Sequence, residues 1–161
     1  KVHCKYTLNI KLITYQQSCK TGVKHSIFMK VAFIIIVIHF IADFICQDEK
    51  WALGKSKNWS DLLSHTFTYS CIWIIPNMFL FPNNWTTSNY VINSLLFGFI
   101  TFIAHTITDY FTSRVTSKLY AKGKFGSSIP NLGFFSMIGF DQVLHYAQLF
   151  LTFYFLNTLV W

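Results

Sequence analysis

The sequence is poor in charge, and poorest in negative charge. Only 12% of its residues are charged and only six of the 161 are acidic, where a soluble domain carries about 25% charged residues. With 53% hydrophobic and 19% aromatic residues, the shortage excludes an ordinary water-facing exterior, because a fold this size cannot hide so much apolar surface. Cysteine is scarce too. Cys4, Cys19, Cys46 and Cys71 form no CxxC pair, which argues against a disulfide framework or a thiolate zinc site. Cys46 and Cys71 fall in apolar segments and are expected to be small buried hydrophobes. The sequence contains no Gly-rich phosphate loop, no nucleophile elbow and no HExxH.

The charge that is present is basic, with a formal net of +7. Its placement argues against a nucleic-acid partner. Six of the thirteen basic residues lie in the first thirty positions, and the other seven sit in two short stretches between hydrophobic runs. That is the layout of loops flanking membrane spans, where Lys and Arg bias topology. Residues 1–28 are polar, basic and aperiodic, and are set apart as an N-terminal extension that does not have the form of a cleavable signal. Met29-Lys30 then opens onto VAFIIIVIHFIADFIC.

The pattern predicts an all-α fold: one multi-pass transmembrane domain over 29–161, a four-helix bundle with spans at about 30–47, 61–81, 90–111 and 135–160. Each is close to the ~20 residues needed to cross the hydrocarbon core. A polar loop with Lys50, Lys55 and Lys57 follows the first span, and one with Arg114, Lys118, Lys122 and Lys124 follows the third. The positive-inside rule puts both loops in the cytoplasm if the chain starts at Met29. Five further lysines in residues 1–28 nearly cancel that bias if they are native.

Within the spans the polar residues are ordered. His39 and Asp43, Asp61 and His65, His105 and Asp109, and Asp141 and His145 are each four apart. Residues at i and i+4 share one helix face. The order within each pair alternates with helix direction, so all four Asp sit toward the basic loops and all four His about one turn deeper, ~6 Å at 1.5 Å per residue. Ionisable groups near a span's centre cost at least ~2.5–3.5 kcal/mol each. One such pair is more simply a His–Asp hydrogen bond locking two helices. Four at matched depth point to a divalent metal site, with zinc ahead of manganese or iron. Helical bundles place metal sites this way. Eight groups exceed one ion's needs, so either two ions bind or some groups orient the ligands. Gln47 continues the first stripe and Gln142 adjoins Asp141, each able to hydrogen-bond a ligand. Tyr69, one turn beyond His65, can face the site or pack in the core, and Arg114 and Lys118 can attract an anionic head group.

HFIADFICQ, KSKNWSDLLSHTFTY, HTITDYFTSR and GFDQVLHY together resemble an uncharacterised family of bacterial and phage membrane proteins, domain of unknown function 3307. The resemblance covers about residues 31–155. It implies a small multi-pass protein of a bacterial inner membrane, with the family's polar signature on His39, Asp43, Gln47, His65, His105, Asp109, Asp141, Gln142 and His145. Asp61 has no place in that signature. A looser similarity to membrane-bound metal-dependent hydrolases is analogy only.

Three functions follow as expectations. The first is metal-dependent hydrolysis of a lipid or lipid-linked phosphoester near the cytoplasmic interface. The second is transport of a proton or metal ion. Runs such as VAFIIIVI and LFLTFYFL disfavour it, because a relay needs polar groups through the full thickness. The third is a structural or regulatory membrane protein whose polar cluster fixes helix pairing.

Overall fold

The computed structural model describes residues 29–80, 87–126 and 131–158. The expected extension, residues 1–28, lies outside the described residues. The chain divides into two compact units, Lys1–Ile34 and Ile35–Trp161. Of the first, residues 29–34 are described and are helical. The second is all-α among the described residues.

In the second unit, α1 (residues 35–45) ends in a π-helical turn, Ile41–Ile45, closed by the Cys46 amide on the Ile41 carbonyl at 2.9 Å. Such turns are frequent at functional sites, and this one contains Asp43. A short helix, α2 (Glu49–Gly54), occupies part of the stretch expected as a polar loop. The Asp48 side chain caps it by accepting from the Lys50 amide at 2.8 Å. The long helices are α3 (Trp59–Leu80), α4 (Thr87–Ala121) and α5 (Leu132–Thr158). α4 runs ten residues beyond the expected end of its apolar segment. It stops in a Schellman motif: Gly123 takes φ 63°, and the Lys124 amide reaches the Leu119 carbonyl at 3.0 Å. Asn131 caps α5, its Oδ1 accepting from the Phe134 amide at 3.0 Å. α4 packs against both α3 and α5, while α2 and the π turn pack on α3.

The burial pattern is inverted relative to a water-soluble helix. On α4 the buried positions include Asn93, Ser94, Thr101, His105, Asp109 and Thr112. Its exposed positions include Leu95, Leu96, Phe99, Ile103, Ile107 and Phe111. Cys46 and Cys71 are exposed, not buried as expected, because both fall on outward faces of this kind. Several inward hydroxyls are satisfied inside their own helices: Ser70, Thr112 and Thr152 donate to carbonyls four residues back at 2.7–2.9 Å. Among the described residues, one segment, Tyr90–Ala121, is long and apolar enough to cross a membrane by length and composition.

Candidate metal centre

The described helices carry His39 and Asp43 on α1, His65 on α3, His105 and Asp109 on α4, and Asp141 and His145 on α5. All are buried except Asp141, which is partly buried. The His65 and His105 Nε2 atoms are 3.1 Å apart. His65 Nε2 lies 3.2 Å from both Asp43 Oδ1 and Asp109 Oδ2. His105 Nε2 lies 3.8 and 3.6 Å from the same two oxygens. His145 Nε2 reaches Asp109 Oδ1 at 3.3 Å and Asp141 Oδ2 at 3.4 Å. Ligand atoms about a tetrahedral zinc, bound at ~2.0–2.1 Å, stand about 3.3 Å apart. Among the described residues two groups have atoms close enough to hold a metal ion: Asp43, His65 and His105, and then His105, Asp109 and His145.

The expected two layers, Asp below and His above, are in fact one cluster. The imidazoles lean toward the carboxylates until their Nε2 atoms lie between them. A ring stack fixes them: His105 is sandwiched between Tyr69 at 3.9 Å and His145 at 4.0 Å.

The protein leaves part of this cluster unpaired. Asp43 Oδ1, Asp141 Oδ1, His105 Nδ1 and His145 Nδ1 are buried with no hydrogen-bond partner. Three formal negative charges, on Asp43, Asp109 and Asp141, meet one ammonium, Lys55, whose Nζ is 2.9 Å from Asp109 Oδ2. With the imidazoles neutral, the form that ligates a metal, three less one leaves two negative charges, the charge a divalent cation neutralises. The residues present therefore fit a divalent ion.

His39 stands apart from both groups because its two ring nitrogens are taken. Gln142 Nε2 donates to Asp43 Oδ2 at 2.8 Å, which turns Gln142 Oε1 toward His39 Nε2 at 2.6 Å. His39 Nε2 therefore donates, and the neutral ring accepts the Tyr69 hydroxyl at Nδ1, also at 2.6 Å. The directed chain Tyr69–His39–Gln142–Asp43 orients the carboxylate from behind. Asp61 does not join the cluster. It is buried against Gly54, where an added Cβ would collide with the Asp61 carboxylate. Gln47 lines the approach to the site, with its Nε2 buried and unpaired.

A model of the family described as protein of unknown function (DUF3307) matches residues 31–161. The chain belongs to this family. Comparisons of the DUF3307 chain with curated proteins and with solved structures return no match.

Lys55 is the site residue that sequence reasoning missed, since a loop lysine is fully explained by topology. Burial alone would favour its neutral amine, but the Asp109 and Asp43 carboxylates outweigh this and raise its pKa above the usual lysine value. Arg114 helps place it. Its guanidinium lies over the Tyr110 ring at 3.8 Å, and Nη1 donates to the Lys55 carbonyl at 3.4 Å. The cluster is approached through a cavity of about 1330 Å³ lined by Asp43, Lys55, Asp141 and Gln142 at the polar end. Phe44, Leu53, Phe125, Phe134, Phe135 and Ile138 form much of its wall.

Proposed function

We propose that this DUF3307 protein is a multi-pass membrane protein whose buried His/Asp centre binds a divalent metal, zinc foremost, and hydrolyses a lipid or lipid-linked phosphoester. The observation that carries the metal reading is the convergence of His65, His105 and His145 on Asp43 and Asp109, with unpaired carboxylate oxygens and two uncompensated charges. His65, His105, Asp43 and Asp109 are the ligands in this reading, with His145 and Asp141 completing a second position or orienting the first. His39, Gln142 and Tyr69 hold Asp43 in place. A bound ion would supply a Lewis acid and an activated water.

The membrane placement is supported by the inverted burial. Phe99, Ile103, Ile107 and Phe111 face outward while Thr101, His105 and Asp109 face inward. Water penalises such a surface, whereas hydrocarbon accepts it and demands the inward pairing of polar groups. In this reading the basic stretches with Lys55, Lys57, Arg114 and Lys118 lie on the cytoplasmic side of a bacterial inner membrane. The cavity beside them has a charged floor and an aromatic wall, which suits a substrate with an anionic head and an apolar tail.

The test is phosphate release from a short-chain phosphatidic acid presented in mixed micelles. Purified protein should release phosphate with added zinc and stop with a chelator. The Asp109→Ala protein should be at least a hundredfold slower. Metal-independent release, or none with any divalent ion on several phosphoester lipids, removes the hydrolase assignment.

A further inference from the structure

The cavity beside the metal centre lies on one side of it. Its α4 lining starts at Thr112, past Asp109, and ends at Ala121. Its α5 lining ends at Gln142, short of His145. From Thr112 to Tyr120, and from Phe134 to Gln142, eight residues of helix rise about 12 Å. The other side of the cluster is filled. Tyr69, Trp73, Phe97 and Leu149 are fully buried there, and the Trp73 ring lies 6.3 Å from that of Tyr69 and 5.5 Å from that of Phe97. A ligand that reaches the cluster therefore has its room along the cavity, toward the basic stretches.

The cavity changes character along that length. Asp43, Lys55, Asp141 and Gln142 surround the end at the cluster. Ile138, Phe135 and Phe134 lead away from it along α5, and Phe125 packs on Phe134 at 6.3 Å between rings. On the α4 wall the Thr112 and Ser113 hydroxyls donate to the Thr108 and Asp109 carbonyls. An alkyl chain lying there strips water from neither donor. Leu53 and Phe135 line the cavity and are also exposed, which gives its mouth an apolar lip.

We infer that the cavity takes a single-chain amphiphile with an anionic head. The head lies at Lys55 and the cluster, and the chain runs along α4 and α5 toward the basic stretches. In the membrane placement above, this ligand is inverted relative to the lipids around it, whose chains run from the surface toward the midplane. It must leave the leaflet to enter. One chain holds an amphiphile in a bilayer only marginally and reversibly, whereas two long chains anchor it. An extended chain advances roughly 1.2 Å per bond, so ~12 Å of cavity holds about ten carbons. The inference rests on the proposed membrane placement and ligand site, and not on hydrolysis. It narrows the substrate to amphiphiles that exchange through water, short-chain phosphatidic acid among them.

The experiment uses the full chain, equilibrated with zinc, in phosphatidylcholine nanodiscs, with empty discs as the control. The probes are alkylphosphonates from butyl to tetradecyl, whose carbon–phosphorus bond is not hydrolysed. Calorimetry reads their affinity against free aqueous ligand. Affinity should rise about fourfold per methylene and level off near decyl. Ile138→Trp and Thr116→Trp, which fill the cavity from opposite walls, should each weaken decylphosphonate at least tenfold with bound zinc unchanged. Dioleoyl phosphatidic acid in the discs should not compete. Affinity independent of chain length, or still rising at tetradecyl, overturns the inference. So do zinc-loaded Trp variants that bind as wild type, and competition by dioleoyl phosphatidic acid. Chain-dependent binding with no phosphate released from decyl phosphate removes only the hydrolase assignment. Release from dioleoyl phosphatidic acid as fast as from decyl phosphate keeps that assignment and overturns the inference. Protein that does not enter discs removes the membrane placement and this inference with it.

Discussion

His65 and His105 face each other across the α3–α4 interface with their Nε2 atoms 3.1 Å apart, each within 3.8 Å of both Asp43 and Asp109. Two imidazoles can share at most one proton at that contact, and His105 Nε2, at 3.6 and 3.8 Å, is beyond hydrogen-bond distance of either carboxylate oxygen, so hydrogen bonding leaves the group incompletely paired. A cation between them completes the pairing.

The first consequence is selectivity among the acidic residues. Asp109→Asn should reduce bound metal from about one per chain to less than a tenth, while Asp61→Asn, outside the cluster, should leave it unchanged. Elemental analysis of protein equilibrated with a small excess of zinc decides this. Equal losses in both variants would contradict the assignment.

Tyr69→Phe deletes the hydroxyl that His39 accepts, and Gln142→Leu removes the bridge to Asp43. Groups that orient ligands from behind typically contribute 10–100-fold in metal affinity. Both variants should weaken zinc binding within that range without abolishing it, as read by competition with a chromophoric chelator. Unchanged affinity would make the chain a packing device only.

Lys55→Met removes the ammonium beside Asp109. Breaking a largely buried pair costs about 3 kcal/mol or more when one charge is left uncompensated. The variant should melt lower than wild type in chelator, and bound zinc should recover much of the difference. An equal loss with and without zinc would show that Lys55 and the metal do not share Asp109.

Gly54 tests the role given to Asp61. Gly54→Ala places a methyl on the Asp61 carboxylate and should destabilise the α2–α3 corner by about 1–3 kcal/mol. Asp61→Ala should relieve it. Thermal melts of both single variants and the double give the coupling, and additive losses would contradict the contact.

Much of the site is legible in the sequence because i,i+4 spacing is a helix property. The pairs His105/Asp109 and Asp141/His145 share a face whatever surrounds them, and the apolar segments between turn signals mark the long helices. What depends on three dimensions is not legible. The Lys55–Asp109 contact depends on how α2 folds back onto α3. The role of Gln142 depends on reaching α1 from α5, ninety-nine residues from Asp43. His39 and Asp61 look like the other pairs in one dimension. They separate only once Tyr69 and Gln142 take both nitrogens of the one, and Gly54 makes room for the other. Two buried polar residues are hidden for the same reason: Asn77 and Ser94 stand among apolar neighbours, and only the folded structure shows that they face inward.

The most direct test of the central claim is X-ray absorption at the zinc edge on purified, zinc-equilibrated protein. The account predicts about one tightly bound ion per chain, with nitrogen and oxygen ligands at ~2.0–2.1 Å, an imidazole scattering signature and no sulfur. That signature should vanish in the His65→Ala, His105→Ala variant. Protein that retains no zinc, or zinc whose spectrum is the same in that variant, would contradict it.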